Sequence, residues 1–406
     1  MHNWWVKFNQ QNKLDKISQI LVFAFVFTLP INLFYKFSLD GGYVRGLLVD
    51  YLIPKIYLHQ IFMLLVLGLH WPRKLLTIPF PTNKKALLLS ILFGALIIRQ
   101  FLTTNPSAAL SYLLSLSLGV LMFYILQQKP VCKKAALFGA IAALITQSSL
   151  AIAQFVKQAS IFPYQILGES NLHNLANISK GQFSDIEKIL PYASTAHPNI
   201  LAVFIVLFSI IIIEKCAKKH HLITGALIIN TLLMIYLTQS WSALATLLLY
   251  GLWRLRPNLP TLIGCYALII CGSPLLINYL AADTNHPSLL RRAHLNQAAW
   301  QMWLQQPLQG VGLNQFTISL EKYAASPEIV RFVQPAHHGL LLMLSEGGLL
   351  LLLALLYLIK QNKKIHFYRH GLILLAVFSL DHYLLTQSGG WNLLLIFYWL
   401  IDEKIA

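Results

Sequence analysis

Long apolar runs dominate the chain and decide its main solvent. A helix needs about 20 mostly apolar residues to cross a hydrocarbon core of roughly 30 Å, because in lipid every backbone polar group must be satisfied within the segment. Twelve stretches of the 406 residues meet or approach this condition, at about 17–37, 51–70, 86–104, 109–127, 135–156, 198–214, 222–238, 241–253, 261–280, 338–359, 370–387 and 390–402. The stretches 241–253 and 390–402 are short and follow tight turns (Gln239-Ser240, Gly389-Gly390), so each suits a short span or a re-entrant piece. The expectation is an all-α polytopic membrane protein, one integral membrane domain over 1–406 with about 12 transmembrane helices. Only 11% of residues are charged, about half the share usual in soluble domains, which excludes an ordinary water-soluble fold.

The formal net charge of +17 would suggest nucleic acid in a soluble chain. In a membrane protein it records topology, since Lys and Arg collect in cytoplasmic connections. With the N-terminus inside, most basic residues fall in short connections on one side, among them Arg73, Lys74, Lys84, Lys85, Lys215, Lys218 and Lys219. Nearly the whole positive excess then lies inside, and nucleic acid drops out as a partner. Both termini are predicted cytoplasmic, with two large outer (periplasmic) loops at about 157–197 and 281–337. The first apolar run is too long for a signal core and lacks a small-residue cleavage site, so it is expected to remain as a span. The inner connections contain no Walker pattern. Cys132, Cys216, Cys265 and Cys271 lie in flanks or spans, so no outer-loop disulfide is expected. No spacing resembles a zinc site, and the chemistry is expected to need neither metal nor cofactor.

Chemistry in such a chain belongs in the outer loops, where a rigid scaffold holds exposed side chains. The second loop opens with a helical pattern over Ser288–Gln306, which Asn285 or Ser288 can cap. Pro307 stops it, and Gly310-Val311-Gly312 forces a tight turn before Phe316. Arg291 and Arg292 on this helix suit either lipid phosphates or a clamp on a diphosphate, for which a planar guanidinium is well shaped. His337 and His338 follow where the loop re-enters the bilayer, and a near-neutral imidazole there can accept a proton from an attacking hydroxyl. Glu346 lies inside the next span, where a carboxylate must face partners rather than lipid. The first loop ends in His197-Pro198-Asn199, a helix start whose free N–H groups also suit an anion.

Taken in order, these pieces resemble the O-antigen ligase family, which also contains O-antigen polymerases and protein O-oligosaccharyltransferases. His197-Pro198-Asn199-Ile200-Leu201-Ala202 resembles HPNxLA, and Gly168-Glu169 is similar to a GE pair in some bacterial members. The stretch Pro307–Phe316 resembles PLxGVGxxxF, and His337-His338-Gly339-Leu340-Leu341 with Glu346-Gly347-Gly348 is similar to HNxxL followed by ExG. The resemblance implies a bacterial cytoplasmic (inner) membrane protein. It implies an inverting, metal-independent glycosyltransferase that moves a glycan from undecaprenyl diphosphate to the hydroxyl of a lipid or glycan acceptor. It assigns the general base to His337 and the diphosphate contact to Arg292, with Arg291 beside it and His338, Glu346, His197 and Asn199 in support.

The chain departs from the family at two points. Ser240-Trp241-Ser242 stands where many members carry an Arg between two serines, and Leu190 stands where some relatives have Arg. Arg45, Arg99, Lys188 and Arg331 are the candidates to replace those cations. Two other readings are a scaffold without activity, which the missing arginines suggest, and a transporter or flippase of lipid-linked sugars, for which Arg99, Asp381 and His382 within spans would mark the pathway.

Overall fold

The computed structural model describes residues 12–38, 41–70, 94–162, 168–173, 178–217, 220–284, 287–324, 329, 333–361 and 365–402. Residues 86–93 of one expected span, Asn285 and Arg331 lie outside them. The helices are α1 (Lys13–Thr28), α2 (Leu58–Leu69), α3 (94–101), α4 (Pro106–Gln127), α5 (Lys133–Lys157), α6 (Pro198–Ile212), α7 (His221–Thr238) and α8 (Trp241–Arg254). They continue with α9 (Leu259–Thr284), α10 (Pro287–Gln305), α11 (Phe316–Tyr323), α12 (Gly339–Gln361), α13 (Ile365–Leu380), α14 (Tyr383–Thr386) and α15 (Ser388–Asp402). Among the described residues six helical segments are long and apolar enough to cross a membrane: Pro106–Gln127, Pro130–Lys157, Pro198–Cys216, His221–Thr238, Leu259–Asp283 and Gly339–Tyr357. The chain is thus a multi-pass membrane protein.

Three expected spans are shorter than their apolar runs. The run 17–37 is helical only to Thr28, since Pro30 has no N–H to continue the helical ladder, and Phe34–Lys36 instead pairs antiparallel with Lys55–Tyr57. The run 51–70 accordingly becomes helical only from Leu58. The run 370–387 breaks after Leu380, leaving Asp381 and His382 between α13 and α14. The segments expected to be short are helices of 14 and 15 residues. At about 1.5 Å per residue neither alone reaches across a full hydrocarbon core.

The bundle is organised around α6, every residue of which from Ile200 to Ile212 is buried. A helix that is apolar all round must be surrounded, and α5, α7, α8 and α15 pack on it. Its start is held by α5. Gln154 accepts from the amides of Tyr192 and Ala193 at 3.0 and 2.7 Å and donates to Glu169, while Gln147 accepts from the Ser194 amide at 3.1 Å. Glu169 in turn accepts from the amides of Ile161 and Phe162. These buried polar groups in and beside a span are therefore braces for the loop that leads into α6.

A second cluster packs Leu295, Ala298, Ala299 and Met302 of α10 against Phe316 and Leu320 of α11 and Leu342 of α12. It is locked by an exchange of backbone hydrogen bonds. Gly348 (φ 60°, ψ −163°) interrupts α12, freeing groups that apolar surroundings would penalise. Val311 and Gly312 donate to the carbonyls of Ser345 and Glu346 at 2.8 and 2.9 Å, and Leu349 and Leu350 donate to those of Pro307 and Leu308 at 2.8 and 3.0 Å. A Cβ on Gly310 would collide with the Glu346 backbone, and one on Gly348 with the Leu308 backbone.

His338 performs a similar repair. Pro274 lies inside α9 and has no N–H to offer the carbonyl four residues back, at Ile270. The Nε2 of His338 donates to that carbonyl at 3.0 Å, while its Nδ1 accepts from the Leu341 amide at 3.2 Å in the first turn of α12. The two contacts fix the tautomer and tie α12 to α9.

Two outcomes follow. In a double-mutant cycle read by thermal unfolding in detergent, His338→Ala should cost about 1 kcal/mol less in a Pro274→Ala background, where Ile270 regains a helical partner. Additive effects would show that the two residues are independent. Gly348→Ala should destabilise the protein by about 1–3 kcal/mol, from the left-handed backbone alone and before any collision is counted, and an unchanged melt would contradict the interlock.

Candidate active site

Arg292 precedes the buried Leu295 and Asn296 by about one helical turn, so it stands at the edge of the packed stripe of α10 rather than on its exposed side. It is half-buried and has no hydrogen bond or ion pair among the described residues. Its charge acts on the imidazoles of His197, His337 and His382, and Arg291 adds to the field at His337.

His337 sits two residues ahead of α12. Its side chain is 15% exposed and its Nδ1 is buried without a hydrogen-bond partner. Burial holds its pKa well below the ordinary histidine value, and Arg292 adds to the effect. The ring is therefore neutral at pH 7 and offers a lone pair. Nδ1 lies 4.0 Å from Asp381 Oδ1, too far for a hydrogen bond but close enough for the carboxylate to favour an imidazolium if the ring takes up a proton. The His382 ring meets that of His337 edge to face, with centroids 4.9 Å apart, and Tyr51 packs on His382 at 5.6 Å. The His382 amide donates to Asp381 Oδ1 at 2.8 Å. Ligand-type atoms of His337, Asp381 and His382 lie within 4.8 Å of one another, so these three are the described residues that could hold a metal.

Asp381 and His382 stand at the rim of this site because α13 stops at Leu380, a break that the uninterrupted apolar run conceals. Their available signal was two adjacent polar ionisable residues in an otherwise apolar segment. Arg99, the third residue of the transport reading, donates to the carbonyls of Gly310 and Val311 at 3.4 and 3.3 Å and to that of Leu102 at 3.1 Å.

Three of the residues expected in support, His338, Glu346 and His197, bond to backbone groups. His338 faces α9. Glu346 accepts from the amides of Asn314 and Phe316 at 3.0 and 3.1 Å, placing a carboxylate at the start of α11. His197 caps α6: its Nδ1 accepts from the Asn199 amide and its Nε2 meets Ser179 Oγ, both at 3.1 Å. Of the substitute cations, Arg45 pairs with Glu321, Arg99 is committed as above, and Lys188 lies 4.9 Å over the Phe155 ring. At the Ser240-Trp241-Ser242 turn, Ser240 caps α8 and Trp241 is exposed.

A cavity of about 830 Å³ opens between α9, α10 and α12, lined among others by Pro274, Ala293, Asn296, Trp300 and Leu341. Another face of α10 forms its wall, and Arg292, His337 and His197 are not part of its lining. Both side-chain amide atoms of Asn296 are buried without partners.

Among protein families, residues 199–356 match the model described as O-antigen ligase. Comparison with the curated proteins and with the solved structures gave no match. The matched stretch contains Asn199, Arg291, Arg292, the Pro307–Gly312 turn, His337 and Glu346, and it ends before Asp381. Over residues 199–356 the chain is therefore similar to the O-antigen ligase family, whose members are glycosyltransferase-type enzymes.

Proposed function

We propose that the protein transfers a glycan from undecaprenyl diphosphate to an acceptor hydroxyl at the outer face of the bacterial cytoplasmic membrane, with Arg292 and His337 as the acting groups. The observation that carries this reading is a guanidinium with no hydrogen bond or ion pair among the described residues together with a neutral, largely buried imidazole on which its charge acts, both inside the family-matched stretch. In the reaction the acceptor oxygen attacks the sugar carbon that bears the diphosphate, on the face opposite the leaving group. The new glycosidic bond forms as the carbon–oxygen bond to the diphosphate breaks, which inverts the configuration.

Negative charge then grows on the departing diphosphate, where Arg292, with Arg291 beside it, stabilises it. The acceptor proton passes to His337. The Asp381 carboxylate, 4.0 Å from Nδ1, favours the imidazolium that results. Arg292 and Asp381 thus act on opposite charges of one transition state, and the residues present supply these steps without a metal. The apolar cavity beside α10 suits the polyprenyl chain of the donor. Ligase, polymerase and protein-glycosylating activities share this chemistry and differ in the acceptor.

The test is glycan transfer by the purified protein, given a lipid-diphosphate donor and, in parallel, a lipid-linked core, a growing glycan chain or a serine-containing peptide. His337→Ala should lower transfer at least ~10²-fold with the protein still folded in the membrane, and undiminished transfer would overturn the assignment. Arg292→Ala should also impair transfer strongly. Arg292→Lys should recover only part, because an ammonium is a point charge where a guanidinium binds two oxygens at once.

A further inference from the structure

We propose that His337, Asp381 and His382 form a binding site for a divalent transition-metal ion of the zinc class, and that the bound ion inhibits transfer by occupying the lone pair of His337. The inhibition rests on the reading of His337 as the base; the binding does not.

The three side chains come from two places in the chain, the loop end before α12 and the break after α13, and their ligand atoms lie within 4.8 Å of one another. Donors around a tetrahedral zinc stand about 3.4 Å apart, given zinc–nitrogen bonds near 2.0–2.1 Å. The 4.0 Å between His337 Nδ1 and Asp381 Oδ1 therefore needs only a small contraction, and the widest separation in the group needs about an ångström and a half.

Two further observations point to a ligand. The Nδ1 of His337 is a buried nitrogen with no hydrogen-bond partner, which an ion would satisfy. His382 is held in the form that a metal ligand needs. Thr386 Oγ1 donates to the His382 carbonyl at 3.2 Å, so at 2.8 Å it accepts from the His382 Nδ1, leaving Nε2 with the lone pair. A histidine whose second nitrogen donates to a fixed acceptor is the usual arrangement around bound zinc. Two neutral imidazoles and a carboxylate, with no thiolate, suit zinc, nickel or copper(II) over calcium or magnesium, which take oxygen ligands. Neutral imidazoles also lose no proton on binding. Arg292 and Arg291 oppose a cation here, and Asp381 favours one.

The experiment uses the full chain purified in detergent on a tag without histidine, with zinc as the probe. Calorimetric titration without donor or acceptor should give one zinc per chain, with affinity at least tenfold weaker in His382→Gln and in Asp381→Asn at unchanged melting temperature. X-ray absorption of the zinc-loaded protein should show a nitrogen and oxygen shell with imidazole scattering and no sulfur. No stoichiometric binding, or binding that both variants retain, would overturn the site. In the transfer assay zinc should lower the rate at least tenfold and a chelator should restore it; an unchanged or raised rate with zinc bound would overturn the inhibition. A protein that binds zinc as described yet transfers no glycan under any condition would overturn the proposed function and its inhibition while leaving the site standing.

Discussion

The arrangement depends on one constraint: a helix broken among apolar neighbours must have its freed backbone groups satisfied by something else. Gly348 breaks α12, and the Pro307–Gly312 turn supplies both the donors and the acceptors that the break requires. That exchange fastens the end of α10 to the middle of α12. Arg292 lies on α10 and His337 just ahead of α12, so their relative position follows from backbone hydrogen bonding rather than from any contact between the two side chains. Glu346 and Arg99 secure the same turn from either side, one accepting amides at the start of α11 and the other donating to the carbonyls of Gly310 and Val311.

A second repair lies beside His337. Pro274 leaves the Ile270 carbonyl without its helical donor, and His338 fills the gap. With His338 committed to α9, its neighbour His337 is left with an unpaired nitrogen beside Asp381 and His382. Two adjacent histidines thus differ completely in their surroundings, because one meets a backbone acceptor and the other meets a carboxylate and a second imidazole. The same division separates Arg292 from the other candidate cations. Arg45, Arg99 and Lys188 each have a partner in the fold, whereas Arg292 has no hydrogen bond or ion pair among the described residues.

Much of this was legible in the residues. Apolar runs of about 20 residues identify spans because backbone satisfaction in lipid is a local requirement, and 106–127, 133–157, 221–238 and the loop helix near 288–305 fall close to where the pattern puts them. The Gly310-Val311-Gly312 turn was visible because glycine marks positive φ, and the motif order pointed to Arg292 and His337. The helix ends at Thr28 and Leu380 were not visible. Apolar residues continue past both, so Pro30 alone hinted at the first, and the strand pairing at 34–36 and the break at Asp381 emerge only in the fold.

By itself, the sequence determined that the chain is built of apolar helices suited to a membrane and where many of them run, because both follow from local composition and spacing. The tertiary structure alone decided the contacts. His197, His338 and Glu346 became braces, and Asp381 and His382 moved from a supposed span interior to the side of His337. The reason is physical: a polar side chain in a dry interior takes whichever partner the backbone leaves unsatisfied, and that partner is set by kinks and breaks far away in sequence.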